Sequence, residues 1–377
     1  MQIAQGALTN SKRPQVFPEN YPKKITYAKD CFLYDDKKNK YFDFICALGT
    51  CLLGYSNDDI SRAIMQQLCK GNLFSLASDV EEKFCEAIAP LVPFADRIKV
   101  FKTGSESCTA ACVIARAHEN HRLLFQQGFN GWHPEFQSLT PPSCGVPEHL
   151  FIKKLDTYVT DQIVILEPVI TKLDEERLTF LRGLKSERNF IIFDETITAL
   201  RFPKHTFSNE YDITPDLIIL GKALGNGFPI SIVAGKKEIM DNNYFTSGTF
   251  CGDTLGMIAG MKVLELLKSK YNLTELYVQA NNFCTSFNQL HPDLITIEGY
   301  GTRGVFKGNE EILALFFQEA CKAGLLFGRS FFLNFSHLQY LDEILNICNA
   351  VLKVIKLGAC KLEGRLPELP ISAKARG

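Results

Sequence analysis

Short apolar runs alternate with helical patterns between about residues 55 and 265, and this alternation constrains the fold more than any other feature. Five of the runs are LLFQQ (123–127), IVILEP (163–168), FIIFDE (190–195), LIILGK (217–222) and ISIVAG (230–235). Helical patterns with end signals cover NDDISRAIMQQLCKG (57–71), DVEEKFCEAIAPLVP (79–93) and SESCTAACVIARAHE (105–119). Strands that alternate with helices predict an α/β fold with a mainly parallel sheet covered by helices on both faces.

The carboxyl ends of these runs, and of the further strand RIKVF (97–101), carry polar or glycine-rich segments. The segments are TGSE (103–106), FNGW (129–132), EP (167–168), DE (194–195) and GK (221–222). Open α/β sheets bind their ligands outside the carboxyl ends of their strands. The sequence therefore predicts a ligand site made from these segments.

Both ends of the chain differ from the alternating middle part. CFLYDD (31–36) and KYFDFI (40–45) flank the polar turn DDKKNK, which predicts a hairpin. The patterns after the middle part are two helices and two short strands, at 273–290, 310–324, 294–301 and 324–328.

The length of 377 residues exceeds what one core usually fills. We therefore predict a large domain over residues 51–270 and a small α+β domain over residues 271–377. The N-terminal segment, residues 1–50, is predicted to pack with the small domain.

The composition indicates which partners to expect. Because Lys and Arg number 41 and Asp and Glu number 42, the net charge of −1 gives no indication of a nucleic-acid or membrane partner. No apolar run has the length of a signal-peptide core or a membrane span. The 13 cysteines lack a CxxC pair, and no histidine pair completes a metal site with Cys108 and Cys112. We expect reduced thiols, no bound metal and a cytoplasmic location.

Lys222 ends the apolar run LIILGK, where a lysine is poorly solvated. Burial disfavours the charged form and lowers the pKa of a lysine, which makes its amine a nucleophile toward carbonyl groups. Most such lysines reach the surface instead, and this residue alone leaves that alternative open. Asp194 ends the apolar run FIIFDE. A lysine and an aspartate at two strand ends suit pyridoxal 5'-phosphate (PLP), since the lysine can hold its aldehyde and the acid its pyridine nitrogen.

Two hydroxyl-rich segments could bind the phosphate of such a cofactor. Thr103-Gly104-Ser105-Glu106 opens a predicted helix, and a helix N-terminus favours an anion. The alternative is an ordinary helix cap made by Ser105. Thr246-Ser247-Gly248-Thr249 is either a second phosphate contact or a plain loop. Phe129 could stack on a pyridine ring or pack in the core. Trp132 and His133 could likewise be site residues or packing residues.

Six motifs follow one another along the chain: TGSE, FNGW, EP, DETITALR, PDLIILGKALGNGFP and SGTFCGDTLG. Together they resemble the class III PLP-dependent aminotransferases, and within them the glutamate-1-semialdehyde 2,1-aminomutase-like group. Residues 21–60 resemble the N-terminal segment of that group, and GVPE (145–148) is similar to its pattern. The resemblance extends from about residue 20 into the C-terminal domain. It implies the fold type I architecture, with PLP as the cofactor.

The resemblance also implies roles for single residues. Lys222 matches the lysine that binds the cofactor covalently and moves a proton between substrate and cofactor. Asp194 matches the aspartate that keeps the pyridine nitrogen protonated. Glu167 matches the glutamate of the EP motif near the substrate. Gly104 and Ser105 match the phosphate-binding turn.

Further matches concern the faces of the cofactor ring and the partner subunit. Phe129-Asn130 stands where the family has a ring-stacking tyrosine followed by histidine. Thr196 stands where a small apolar residue packs on the other ring face. Thr249 matches a threonine that reaches the phosphate from the neighbouring subunit. The resemblance therefore implies a homodimer with shared active sites.

Departures from the family pattern bear on the reaction. Phe129 keeps the stacking but lacks the phenol that hydrogen-bonds the cofactor, and Asp253-Thr254 replaces an Asn-Pro pair. The segment between Trp132 and GVPE is shorter than in aminomutases, where a mobile loop retains an intermediate. Because a short lid lets products and substrates exchange, we predict an intermolecular aminotransferase.

Two alternatives stay open: an aminomutase, which is an isomerase, and a PLP-binding protein without transaminase activity. Lys222 and Asp194 argue against the second. Glutamate is our first hypothesis for the amino donor, and the acceptor is a keto or aldehyde compound. A sugar-like or polysaccharide precursor rests only on analogy at the level of the fold. The candidate substrate contacts are Arg13, Arg201 and Trp132. For the two arginines the reason is that a guanidinium suits a carboxylate. Arg13 could equally be an exposed residue of a flexible entry segment.

Overall fold

The computed structural model describes residues 2–119, 122–136 and 152–368. The chain divides into two compact units, a first from residues 1–57 and 274–377 and a second from residues 58–273. Within the described ranges, none of the helices combines the length and the hydropathy needed to cross a bilayer. The GVPE segment and most of the segment that separates it from Trp132 lie outside the described residues.

The N-terminal part of the first unit contributes three antiparallel strands to a small sheet. Its N-terminal elements are β1 (Ile25–Lys29), β2 (Phe32–Asp35), β3 (Lys40–Asp43) and the one-turn, left-handed α1 (Cys46–Gly49). β2 and β3 pair antiparallel with Phe32 opposite Phe42, so the predicted hairpin is confirmed. β1 pairs with β2. The sequence did not indicate β1, because most of its residues are exposed and present no apolar face.

The second unit carries a seven-stranded sheet and its covering helices. Its elements are α2 (Asp58–Leu68), α3 (Asp79–Ile88), β4 (Arg97–Phe101), α4 (Gly104–His118), β5 (Leu124–Gln127), β6 (Lys153–Lys154), β7 (Ile163–Leu166), α5 (Glu175–Ser186), β8 (Phe190–Glu195), α6 (Phe207–Tyr211), β9 (Leu217–Leu220), β10 (Ser231–Gly235), α7 (Lys237–Met240) and α8 (Thr254–Ser269).

The strand order of this sheet is β4-β10-β9-β8-β7-β5-β6. Neighbours from β9 to β6 run parallel, whereas β10 is antiparallel to both β9 and β4. The predicted α/β fold with a mainly parallel sheet is confirmed. β10 reverses direction because the connection 221–230 is shorter than a parallel crossover requires.

The central strands are buried on both faces, which explains their continuous apolar runs. Every residue of β7, β8 and β9 is buried. Helix α4 covers one face of the sheet, and its Cys108 and Ala111 share a core cluster with Ile192 of β8. The start of α4 is therefore fixed against the middle of the sheet.

The C-terminal part of the first unit completes its fold. Its elements are α9 (Leu273–Leu290), β11 (Ile295–Tyr300), β12 (Arg303–Gly308), α10 (Glu310–Lys322), β13 (Leu325–Leu326), β14 (Ser330–Phe332) and α11 (Leu341–Lys356). β11, β12 and β14 form an antiparallel sheet. β13 pairs parallel with β3, so that Leu325 lies opposite Phe42 and the two ends of the chain share one sheet.

Candidate active site

The second unit gathers the predicted site segments at one edge of its sheet. β5, β7, β8 and β9 are parallel, and Asp194 on β8 lies opposite Ile219, three residues before Lys222. β4 and β9 are both antiparallel to β10, so they end at the same edge. The segments after these strand ends are 102–106, 128–132, 167–168, 194–196 and 221–222. This is the edge at which the sequence predicted a ligand.

Asp194 carries a deeply buried carboxylate that is 4% exposed. Its Oδ1 accepts the N–H of Thr196 at 3.1 Å, and its Oδ2 accepts Nδ2 of Asn130 at 3.1 Å and the thiol of Cys108 at 3.3 Å. All of these donors are neutral. Burial first, and then the negative charge of Glu167, raise the pKa of Asp194 above its ordinary value. Such a carboxylate is complementary to a cationic N–H donor, which would compensate its charge.

Lys222 follows β9 at the neighbouring strand end and is half-buried. Its backbone lies in the left-handed region, with φ at 45°. That conformation costs a residue with a Cβ about 1 kcal/mol or more, and such residues cluster at functional sites. A short 3-10 turn from Lys222 to Gly225 continues the chain. The fold thus holds an amine in a strained position, one strand away from the buried carboxylate.

Thr196 lies between two glycines at this edge. A Cβ on Gly104 would come within 3.0 Å of Cγ2 of Thr196, and a Cβ on Gly221 within 3.4 Å of the same atom. The hydroxyl of Thr196 is buried, and the side chain of Thr196 favours the charged form of Asp194. The two glycines therefore let the start of α4 and the end of β9 approach Thr196 closely, in a cradle beside Asp194.

The start of α4 presents open backbone amides. Thr103 caps the helix, because its hydroxyl accepts the N–H of Glu106 at 3.2 Å and its own N–H binds the Glu106 carboxylate at 2.8 Å. The alternative in which Ser105 makes the cap is therefore wrong. Gly104 and Ser105 occupy the first turn, where amides have no acceptor within the helix. Such a helix start favours an anion.

The loop after β5 is folded against Glu167. Oε1 of Glu167 accepts the N–H of Phe129 at 2.7 Å, and Glu167 is 3% exposed. Gly128 has a φ of 92°, and a Cβ there would lie 2.8 Å from the same oxygen. Phe129 is half-buried in this loop rather than part of the core. Glu167 therefore fixes the backbone of the loop that carries the aromatic ring.

Two residues that the sequence did not single out for this site help to build it. Arg177 of α5 donates to the carbonyls of Glu167 and Pro168 at 2.6 and 2.7 Å and to Oε1 of Gln127 at 2.6 Å, which ties the ends of β5 and β7 together. Burial lowers the pKa of Arg177 to about 10. An arginine on an amphipathic helix carries no sequence signal for this role. The other residue, Cys108, lies four positions after Gly104, a spacing that places both on one helix face.

Two other predicted residues are exposed in the second unit. Thr249 lies in the loop before α8 and is exposed. Trp132 is 66% exposed, and its N–H donates to the hydroxyl of Ser105 at 3.4 Å. Nδ1 of His133 forms a hydrogen bond with the hydroxyl of Thr109 at 2.8 Å, which connects this loop to α4. Trp132 is therefore not a core residue.

The two candidate carboxylate-binding arginines lie in different surroundings. Arg13 belongs to the first unit, where it forms an ion pair with Glu368 at 3.8 Å. Arg201 belongs to the second unit and is 1% exposed. Arg201 is therefore a fully buried arginine, whereas Arg13 is paired with a carboxylate near the end of the chain.

The departure at Asp253-Thr254 has a structural explanation. Asp253 caps α8 and accepts Nζ of Lys102 at 3.0 Å, in a pair whose side chains are 13% and 14% exposed. Thr254 donates its N–H to the carbonyl of Asn72 at 2.8 Å. Because proline has no N–H, the proline of the family pattern could not make this bond.

A separate cavity of about 340 Å³ lies at the opposite edge of the sheet. Its lining includes Arg122 and Lys185, which form ion pairs with Glu119 and Asp216. Among the described residues, no group of three or more His, Cys, Asp and Glu side chains could hold a metal ion. The chemistry that the sequence predicted lies at the carboxyl edge instead.

Comparisons with known proteins identify the family of the chain. The sequence model of the family described as aminotransferase class-III matches residues 16–141 and 152–331. The chain is 28% identical to the glutamate-1-semialdehyde 2,1-aminomutase of Wigglesworthia glossinidia brevipalpis, over 94% of this chain and 96% of that protein. It is 31% identical to the protein of the same name from Methanococcus maripaludis strain C7, over 67% of each.

A solved structure shares the fold. The FumI protein of Sphingopyxis sp. MTA144, in its PLP internal aldimine form, matches with a TM-score of 0.82 and 20% identity, over 97% of this chain and 95% of that chain. The residues at the carboxyl edge suit PLP chemically, since they offer an amine, a buried carboxylate and open amides at a helix start. The chain therefore belongs to the class III aminotransferases, a family of PLP-dependent enzymes.

Proposed function

We propose that this chain moves an amino group from a donor, with glutamate as the first choice, to a keto or aldehyde acceptor. The observation that carries the proposal is the strained, half-buried Lys222 beside the buried Asp194, whose hydrogen-bond donors are neutral. A sugar-like or polysaccharide precursor is one class of acceptor to include in a substrate panel. A cytoplasmic location stays a prediction.

Each residue of the site has a defined role in this proposal. Lys222 would hold the aldehyde carbon of PLP. Once the substrate amine has displaced it, the freed amine of Lys222 would carry a proton to and from the substrate carbon. Asp194 holds the ring nitrogen in its protonated form, and the amides of Gly104 and Ser105 hold the phosphate. When bound, PLP supplies an electron sink for the charge that develops on the substrate carbon.

Glu167 acts through the aromatic side chain that it positions. Its hydrogen bond to the N–H of Phe129 fixes the backbone that carries that ring. The ring of Phe129 would then stack on one face of the cofactor, and Thr196 would pack on the other. Asn130 follows Phe129 and binds Asp194, so the same loop supports the ring face and the ring nitrogen. Trp132 and Arg13 are the proposed substrate contacts, with Arg13 suited to a carboxylate.

Transfer between two molecules is preferred to isomerisation for two reasons. Phe129 has no phenol to hydrogen-bond the cofactor, and the segment from Trp132 to GVPE is short. A lid that retains an intermediate is what a mutase requires, whereas a transaminase must exchange its products. The second candidate, an aminomutase, is favoured by the names of the two relatives at 28% and 31% identity.

Kinetics with two substrates should follow a ping-pong pattern. With an amino donor alone, the enzyme should release one keto product and stop with the amino group retained, because the acceptor is absent. Absorbance of the bound cofactor and product analysis measure this half-reaction, with glutamate and a panel of amines as donors. The aminomutase instead converts glutamate-1-semialdehyde without any external donor or acceptor. Efficient isomerisation with no half-reaction on any amine would contradict the transaminase proposal while leaving the family assignment intact.

We also propose that the enzyme is a homodimer with shared sites. Large apolar side chains are exposed in two segments of the second unit: Leu76 at 84%, Phe245 at 85% and Phe250 at 62%. A hydrogen bond from the N–H of Thr254 to the carbonyl of Asn72 joins these two segments. Exposed apolar groups that lie together mark an interaction surface. Thr249 lies within the exposed loop, where it could reach a partner's phosphate.

Mixing two inactive variants should restore activity if the sites are shared. In a dimer of Lys222→Ala and Thr249→Ala chains, one site carries both lesions and the other carries neither. Random exchange should therefore restore about a quarter of the wild-type activity, since half of the dimers are mixed and each has one intact site. The measurement is turnover after subunit exchange, which native mass spectrometry verifies.

The matched control is the Lys222→Ala/Thr249→Ala double variant mixed with wild type. Every site of that mixed dimer carries one lesion, so exchange should lower the activity of the wild-type chains. Complete exchange without recovery in the first mixture and without loss in the second would show that Thr249 acts only within its own subunit or not at all.

A further inference from the structure

Cys108 links the start of α4 to the carboxylate of Asp194. It lies one turn into α4, is 1% exposed, and donates its thiol to Oδ2 of Asp194 at 3.3 Å. Burial and the charge of Asp194 raise the pKa of Cys108 well above its ordinary value, so the sulfur keeps its proton and remains a donor. The helix that presents Gly104 and Ser105 thus also supplies a hydrogen bond to the acid of the site.

The lone pairs of Asp194 can be counted. A carboxylate has about four acceptor sites on its two oxygens. Cys108 and Asn130 occupy Oδ2, whereas Thr196 occupies one position on Oδ1. Oδ1 therefore has fewer donors than Oδ2 and is the oxygen better able to accept a further one. The two side-chain donors fix the rotation of the carboxyl group and so decide which oxygen remains available.

We propose that Cys108 is a positioning residue, whose thiol acts with the amide of Asn130 to keep Asp194 ionised and its Oδ1 available to the ring nitrogen of PLP. The inference rests on the proposed role of Asp194. Hydrogen bonds to a carboxylate favour its charged form. Without the thiol, Asp194 becomes more basic and draws the shared proton from the ring nitrogen toward itself. Asn130 and Cys108 thereby set where that proton resides.

Three variants test this role. Cys108→Ala removes the donor, Cys108→Ser replaces it with a hydroxyl, and Cys112→Ala removes a buried thiol one turn further along α4. Cys112 is 2% exposed but makes none of the three hydrogen bonds to Asp194. The cost of emptying a small buried site is therefore matched between Cys108→Ala and Cys112→Ala.

The readouts separate positioning from packing. Cys108→Ala should weaken PLP binding about five- to tenfold, as expected for the loss of one hydrogen bond from a weak donor. It should lower kcat with little change in KM, and alter the pH titration of cofactor absorbance. Cys112→Ala should change thermal stability only, and Cys108→Ser should recover most of the wild-type titration. In the cofactor-free protein, Asp194→Asn should shift an infrared S–H stretching band that Cys108→Ala abolishes.

Equal cofactor binding and equal titrations in Cys108→Ala and Cys112→Ala would overturn the positioning role. A Cys108→Ser variant as impaired as Cys108→Ala would also overturn it. The same holds for an S–H stretching band that does not shift in Asp194→Asn. Any of these three outcomes would overturn only the role of Cys108. The proposed function would still stand if the cofactor is attached to Lys222. A cofactor attached to another lysine would instead remove the proposed function, and the positioning role with it.

Discussion

Replacing Lys222 with alanine is expected to lower turnover by at least about a thousandfold, because the variant loses both the covalent attachment and the proton carrier. Folding should survive, since alanine keeps the Cβ and leaves the neighbouring backbone bonds unchanged. The measurement is steady-state turnover, together with thermal unfolding of the cofactor-free protein. Borohydride reduction followed by peptide mapping locates the attached cofactor in the wild type.

Lys236→Ala is the control for this experiment. Lys236 is exposed and follows β10 at the opposite edge of the sheet. Its loss should leave turnover and cofactor attachment unchanged. A label that maps to a lysine other than Lys222, or a Lys222→Ala variant that retains turnover, would contradict the assignment.

Replacing Asp194 with asparagine should have two opposite effects. Turnover should fall by about a hundredfold or more, because a neutral partner no longer favours a protonated ring nitrogen. The cofactor-free protein should become more stable at neutral pH, because the substitution removes a buried charge without a cationic partner. Asn130 can accommodate the new amide, since its own Oδ1 has no hydrogen-bond partner. A gain in stability with a loss of function is the pattern expected of a site strained for its ligand.

The pH dependence follows from the raised pKa of Asp194. The folded cofactor-free chain holds this proton to a higher pH than the unfolded chain does. The contribution to stability is therefore fully present below the ordinary carboxyl pKa and is lost as the pH rises through the raised value. The gain in stability of Asp194→Asn over the wild type should accordingly grow with pH and vanish at acidic pH. Thermal unfolding across pH measures it, and a variant that is less stable than wild type at every pH would contradict the account.

Glu195→Gln provides a matched control at the adjacent position. Glu195 is also buried with a raised pKa, but strand alternation turns it to the other face of β8. There its carboxylate accepts the N–H groups of Phe207 and Ser208 at 2.6 and 2.9 Å at the start of α6. Glu195→Gln should lower stability and leave cofactor binding unchanged, opposite to Asp194→Asn.

Much of the fold could be predicted because burial determines local composition. β7, β8 and β9 are buried on both faces, so their runs are continuously apolar and their polar ends are conspicuous. Asp194 and Lys222 could be predicted as site residues for the same reason, because each polar side chain ends a continuous apolar run. β10 appeared identical in the sequence, and only the length of the connection before it distinguishes its antiparallel direction.

Other parts of the site depend on contacts between distant residues, which one sequence does not reveal. The thiol of Cys108 meets Asp194 only because α4 packs across β8. Arg177 reaches the ends of β5 and β7 from a helix whose pattern resembles any amphipathic helix. Thr103 rather than Ser105 caps α4, a shift of two residues that decides which hydroxyl faces the loop after β5.

The pairing of β13 with β3 has a consequence for synthesis on the ribosome. Phe42 lies opposite Leu325, so the edge of β3 stays open until the C-terminal part emerges, tens of seconds later at about 5–20 residues per second. An open edge can pair with a strand of another chain, and lysines beside it discourage this. Lys37 and Lys38 are exposed in the turn before β3, and Lys40 is exposed as its first residue. We therefore expect these charges to disfavour aggregation of the nascent chain before the first unit can close its sheet.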